Sequence, residues 1–252
     1  MLNDMLPAAV LISLRVGALI SFAPFFSGEG LTVQTKAALT VALTAVMFPV
    51  HRPVLIPTNI AEWVRAAGSE LVLGLMMALA MKFVFEAARL AGQLMGFQLG
   101  YSLVNIIDPQ SSVETPVLSV FTYTFAFLIF MRLDGHHFIL RGLAHSYDVV
   151  APGQAMTTMA TAASMFHGAA GIWGAAVEIA APVMVTTLLM DILLSFLSKA
   201  SPQLAVLPVG IAAKAIVGFT VLWIAVAGWP RLFEHYFVLA GRFGERLLLS
   251  LR

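Results

Sequence analysis

The residues with the most chemistry to offer are charged side chains set inside apolar runs. Lys82, Glu86 and Arg89 fall at i, i+4 and i+7 of an apolar stretch, so a helix would carry all three on one face. Such a triplet largely neutralises itself. A simple lipid-facing span would not carry it, because each ionised group near the bilayer centre costs several kcal/mol. Asp191 and Lys214 lie equally far from Pro202-Gln203. Two antiparallel helices folded about that turn would bring carboxylate and ammonium to the same depth, where a pair is expected. The weaker symmetry about Pro109 would bring Glu86 to Arg132 in the same way.

Histidine offers a second kind of chemistry. His136 and His137 are adjacent and on a helix would point apart, so a metal site would need partners such as His145 or Asp134. A turn or cap role is the simpler reading of these histidines. No Ser-His-acid, HExxH, Walker or dinucleotide pattern occurs in a suitable context. The expectation is a chain with no catalytic, cofactor or metal site. A net charge of +1 lacks the broad basic field that nucleic acid would need.

Such side chains must be positioned by apolar elements. Of the 252 residues 60% are hydrophobic and 11% charged, with a mean hydropathy of +0.92, against roughly 25% charge in a soluble domain. The predicted class is an all-α integral membrane protein in contact with lipid. There is no cysteine, hence no disulfide framework or thiolate site. Asp4 precedes the first apolar run without a basic residue or a small-residue cleavage pattern, so this run reads as a retained helix.

In order, Leu2–Phe26 and Thr32–Phe48 read as helices, the first interrupted by Arg15, and Pro49, Pro53 and Pro57 mark a loop. Asn59 and Glu62 make a capping box. No proline follows until Pro109, which permits a helix of about 70 Å, more than twice a hydrocarbon core. Thr115–Arg132, His136–Tyr147, Gln154–Lys199 and Val209–Trp229 follow as helices. The tail from Arg231 to Arg252 sets Arg231, Glu234, His235, Arg242, Glu245 and Arg246 against Leu232, Phe233, Phe237, Leu247 and Leu248, the pattern of an interfacial amphipathic helix or a docking face. Methionines such as Met76, Met77, Met81 and Met95 either fill an irregular core or form a deformable gasket.

The chain is organised around Gly92 to Ser119. Gly92, Gly96 and Gly100 recur every four residues and leave a helix face open to close approach. After Ile107, Asp108-Pro109 and Gln110-Ser111-Ser112 stop the helix. Apolar runs flank this polar break, and irregular backbone at membrane depth survives only when buried in protein or lining a wet path. It reads either as a pore or gate element or as an interhelical turn at the bilayer surface.

The runs QLGYSLVNIIDPQSSVETPVLS, DGHHFILRGLAHSYDVVAPG and LLMDILLSFLSKASPQLAVLPVGIAAKAIVGF resemble, in order and spacing, the FliR family of flagellar biosynthetic proteins. Arg15, Pro24-Phe25-Phe26, and Glu70 followed by Gly74 look similar too. The chain departs from the family's usual pattern at Ala205-Val206-Leu207 and at Lys199. The injectisome counterpart is the nearest competitor.

The resemblance implies a non-enzymatic subunit of the flagellar type III secretion export gate in the bacterial inner membrane, at the flagellar basal body. It implies assembly with FliP and FliQ, with FlhB around the outside, FlhA as a further partner, and unfolded export substrates as cargo. It also implies a FliP-like part over residues 1–152, a FliQ-like helical hairpin over 153–229 and an amphipathic tail over 230–252. The loop at about 101–115 would be the plug that closes the pore, with Tyr101, Val104, Ile106, Ile107, Asp108, Pro109 and Gln110 its candidate residues. The rival reading is a secondary transporter in which Glu86, Asp191 and Lys214 carry protons or bind a solute. A metalloenzyme using His136, His137 and His145 is a third.

Overall fold

The computed structural model describes residues 2–26, 31–50, 57–100, 117–154, 159–200 and 206–250. Among these, every regular element is an α-helix: α1 (Leu2–Phe22), α2 (Val33–Met47), α3 (Ile60–Gln98), α4 (Val117–Arg132), α5 (Gly135–Val149), α6 (Met159–Ala200), α7 (Val206–Val226) and α8 (Trp229–Ser250). The protein is an all-α integral membrane protein. Helices α3, α6 and α7 are long and apolar enough to cross a bilayer, and α4 with α5, bent by 66°, adds a fourth if counted as one span.

Local chemistry explains the helix ends. Asn59 Oδ1 accepts from the Glu62 amide at 2.8 Å, while Glu62 Oε2 accepts from the Thr58 amide at 2.8 Å. Side chain and backbone thereby satisfy orphan donors at the start of α3. Its other end lies short of the expected Ile107. Gly100 takes φ 84°, a left-handed conformation that favours glycine, and its amide donates to the Phe97 carbonyl. Gly100 thus stops the helix instead of extending its open face. With 39 residues, α3 is about 58 Å long, still well beyond a hydrocarbon core of about 30 Å.

The chain divides into two compact units. Unit 1 comprises residues 1–83, 130–170 and 237–252. Leu11, Ile12, Val16, Leu19 and Ile20 of α1 are fully buried there. Leu73, Val150 and Leu248 form a cluster against which Met76, Met77 and Val149 pack. A cavity of about 300 Å³ is lined by Leu19, Met77, Met81, Phe138 and Gly241, among others.

Unit 2 comprises residues 84–129 and 171–236. Its core includes Phe85, Met95, Ala126, Ile179, Val183 and Phe233. The Trp229 ring lies edge-on to Phe125 at 5.4 Å and to Phe233 at 6.2 Å. Tyr236 donates its phenol proton to the Glu178 carboxylate. Burial, then the Glu178 bond, push the Tyr236 phenol well above its ordinary range.

The tail differs from a helix laid on a lipid surface. Trp229, Phe233, Phe237, Ala240, Leu247 and Leu248 are buried within the protein, so the apolar stripe of α8 is spent on the fold itself.

Candidate functional site

The Gly92 face becomes a tight helix contact. A Cβ built on Gly92 would lie 2.4 Å from the Leu118 carbonyl oxygen and 2.5 Å from Ser119 Cα. Only glycine fits against that backbone. Ser119 Oγ donates to the Arg89 carbonyl at 2.9 Å, and the Thr122 hydroxyl to the Ala88 carbonyl at 2.7 Å. The Arg89 guanidinium lies 4.8 Å from the centroid of the Tyr123 ring, and Phe85 packs on Tyr123 and Phe127. Partners on α3 fall in number as those on α4 rise, so the two segments form an antiparallel hairpin. Gly96 is also buried on α3.

Residues 101–116 join the two arms of this hairpin. Tyr101, Val104, Ile106, Ile107, Asp108, Pro109 and Gln110, the plug candidates, lie outside the described residues.

On the α6–α7 hairpin, Lys214 Nζ donates to Asp191 Oδ2 at 2.7 Å. The lysine side chain is 17% exposed and the carboxylate 46%, so the pair sits at the edge of unit 2. Gly218 on α7 carries no side chain where Leu99 packs, with Leu99 Cδ2 only 2.1 Å from the position of a Cβ. Glu86 is half-buried on α3 in unit 2, and Arg132 is exposed at the end of α4 in unit 1. Their pairing stays a proposal.

A different charge cluster, in unit 1, escaped the sequence reading. Arg15 and Glu70 are both fully buried. Arg15 Nε donates to Glu70 Oε2 at 2.6 Å and Nη2 to Oε1 at 3.0 Å, while Nη1 reaches Ser146 Oγ at 3.1 Å and Nη2 the Val150 carbonyl at 3.1 Å. The Gly153 amide donates to Glu70 Oε1 at 2.7 Å, and the guanidinium lies 4.2 Å over the Tyr147 ring. Bidentate geometry and satisfied neighbours are what make a buried ion pair tolerable. Gly74 completes the arrangement, since a Cβ there would lie 2.3 Å from the Arg15 carbonyl oxygen. The signal in the sequence was the single arginine of α1 and one of the three glutamates of α3, but nothing local links positions 55 residues apart.

The corner between α4 and α5 brings together what the sequence reading kept apart. Ring centroids of His136 and His137 lie 4.1 Å apart, and one ligand atom each of Asp134, His136 and His137 lies within 4.8 Å of the other two. His145 instead faces Asp148 at 3.9 Å. Divergence by one helical step holds in the middle of a helix. Here, in the first turn of α5, the two rings nevertheless meet.

The sequence profile of the bacterial export proteins, family 1, matches residues 6–240. The chain belongs to this family. It is 26% identical over 228 residues to the flagellar biosynthetic protein FliR of Bacillus subtilis (strain 168), covering 89% of this chain and 88% of that protein. FliR of Pectobacterium carotovorum subsp. carotovorum is 28% identical over 229 residues, 88% of this chain and 85% of that protein. The surface presentation of antigens protein SpaR of Shigella sonnei is 26% identical over 163 residues, 62% and 60% of the two chains. As a family 1 export protein, the chain places the close helix contacts at Gly74 and Gly92 and the fully buried ion pair of Arg15 with Glu70 inside the matched span.

Proposed function

We propose that this family 1 export protein is a subunit of the flagellar type III secretion export gate in the bacterial inner membrane, at the flagellar basal body. It assembles with FliP and FliQ, with FlhB and FlhA as further partners, and passes unfolded flagellar proteins. Residues 101–115 close the path as a plug. The FliP-like and FliQ-like divisions at residues 1–152 and 153–229 belong to the same reading.

The observation that carries it is the α3–α4 hairpin, together with similarity to FliR proteins over most of the chain. Backbone contact at Gly92 and two hydroxyl bonds fix the arms of the hairpin on either side of residues 101–116. Closure must also be shallow, since an arriving substrate shifts it only by its differential contacts with the two states. The Asp191–Lys214 bond supports a role in holding helices together, because its two groups satisfy each other.

Deletion of Ile106 to Ser111 tests the reading. Membranes carrying the assembled gate should leak ions above the wild-type level, while co-purification with FliP and FliQ is kept. Unchanged conductance in an intact complex would remove the plug. Recovery of the tagged wild-type chain as a monomer or homodimer that transports a solute would replace the gate by a carrier.

A further inference from the structure

We propose that Asp134, His136 and His137 form a binding site for a divalent first-row transition metal, with zinc the best fitted, at the corner between α4 and α5. Two imidazoles and one carboxylate are a donor set suited to zinc, leaving a fourth position for water. The three ligand atoms lie within 4.8 Å of one another, and His137 Nδ1 is 3.7 Å from Asp134 Oδ1. A tetrahedral zinc with bonds of about 2.0–2.1 Å needs its ligands roughly 3.3 Å apart. The required closure is small, and side chains exposed by 58% at His137 and 77% at Asp134 are free to make it.

Two further observations point to a ligand. His136 Nδ1 is buried and has no hydrogen-bond partner, a costly state for a polar atom, and coordination through that nitrogen would relieve it. Asp134 occupies the N-cap of α5 yet makes no capping bond, its backbone standing at φ 53°. Its carboxylate is left for another use. The positive end of the α5 dipole opposes a cation here, and the Asp134 charge compensates.

The test uses the full chain, purified in detergent with a tag that contains no histidine, stripped with chelator and dialysed against zinc. The expected result is one zinc per chain. Asp134→Asn, which keeps a residue tolerant of left-handed backbone, and His137→Ala, at an exposed position, should each weaken binding by more than the roughly 10-fold that losing an outer-shell partner costs. His145→Ala should leave binding unchanged, and cobalt should give the visible absorption of a histidine-ligated ion in the wild type and in His145→Ala but in neither Asp134→Asn nor His137→Ala. Substoichiometric zinc in the wild type, wild-type binding in His137→Ala, or equal loss in His145→Ala would each overturn the site. Elution volume in size exclusion identifies a misfolded variant, and the remaining variant then decides.

Discussion

Arg15 and Glu70 meet through two hydrogen bonds, Nε to Oε2 at 2.6 Å and Nη2 to Oε1 at 3.0 Å, with neither side chain reaching the surface. Breaking such a pair from one side strands the other charge, which costs about 3–5 kcal/mol. Arg15→Ala and Glu70→Ala should therefore each lower the thermal midpoint of the detergent-purified protein sharply. Arg15→Lys should also destabilise it, because a single ammonium cannot reproduce the fork. Near-wild-type melting of Arg15→Lys would show that charge, not bidentate geometry, is what matters.

Gly92→Ala should push α4 off α3. The new methyl meets backbone atoms at 2.4 and 2.5 Å, which cannot rotate away, and overpacking of this kind costs about 1–3 kcal/mol. Gly171→Ala, where nothing lies within 4 Å, is the matched control. Protease sensitivity of the connection between α3 and α4 should rise in the first variant only.

Asp191→Asn should weaken the α6–α7 hairpin by about 1–3 kcal/mol, between the range of surface pairs and that of buried ones. Exchanging the charges, with Asp191→Lys and Lys214→Asp together, should recover part of the loss in complex yield. A double variant no better than either single change would mean that the 2.7 Å contact contributes nothing.

Tyr236→Phe removes the bond to Glu178. The folded phenol titrates above its unfolded value of about 10, raised by burial and by Glu178, so its contribution is fully present below pH about 10 and is lost as pH rises through the folded value. The melting difference between Tyr236→Phe and wild type should stay constant from pH 7 to 9 and shrink only in stronger alkali. A difference that already falls between pH 7 and 9 would contradict the raised phenol.

Much of the helix order was legible because it rests on local chemistry. Leu133-Asp134-Gly135 breaks α4 from α5, and Asn59 with Glu62 begins α3. Counting from Pro202-Gln203 set Asp191 level with Lys214, since helical rise is constant. Three features were not legible, each for a tertiary reason. The end of α3 depends on Gly100 adopting a left-handed φ, which a run of three evenly spaced glycines does not announce. The α8 stripe looked fit for lipid, and whether lipid or protein covers an apolar face is decided by neighbours. Arg15 finds Glu70 only when α1 crosses α3 at Gly74, and no period in the sequence encodes that crossing.

The buried arginine also bears on how the chain enters its membrane. At about 5–20 residues per second, Glu70 leaves the ribosome roughly 3–11 s after Arg15, and Ser146 and Gly153 emerge later still. Until then α1 carries an unmatched cation, a penalty that holds it at the lipid–water boundary. Nascent chains stalled before Glu70 should leave α1 open to a water-borne label, and chains stalled beyond Gly153 should shield it. Labelling that is equal at both lengths would show that α1 inserts on its own. On this order α1, made before Glu70, settles only after it, its place completed by residues translated later.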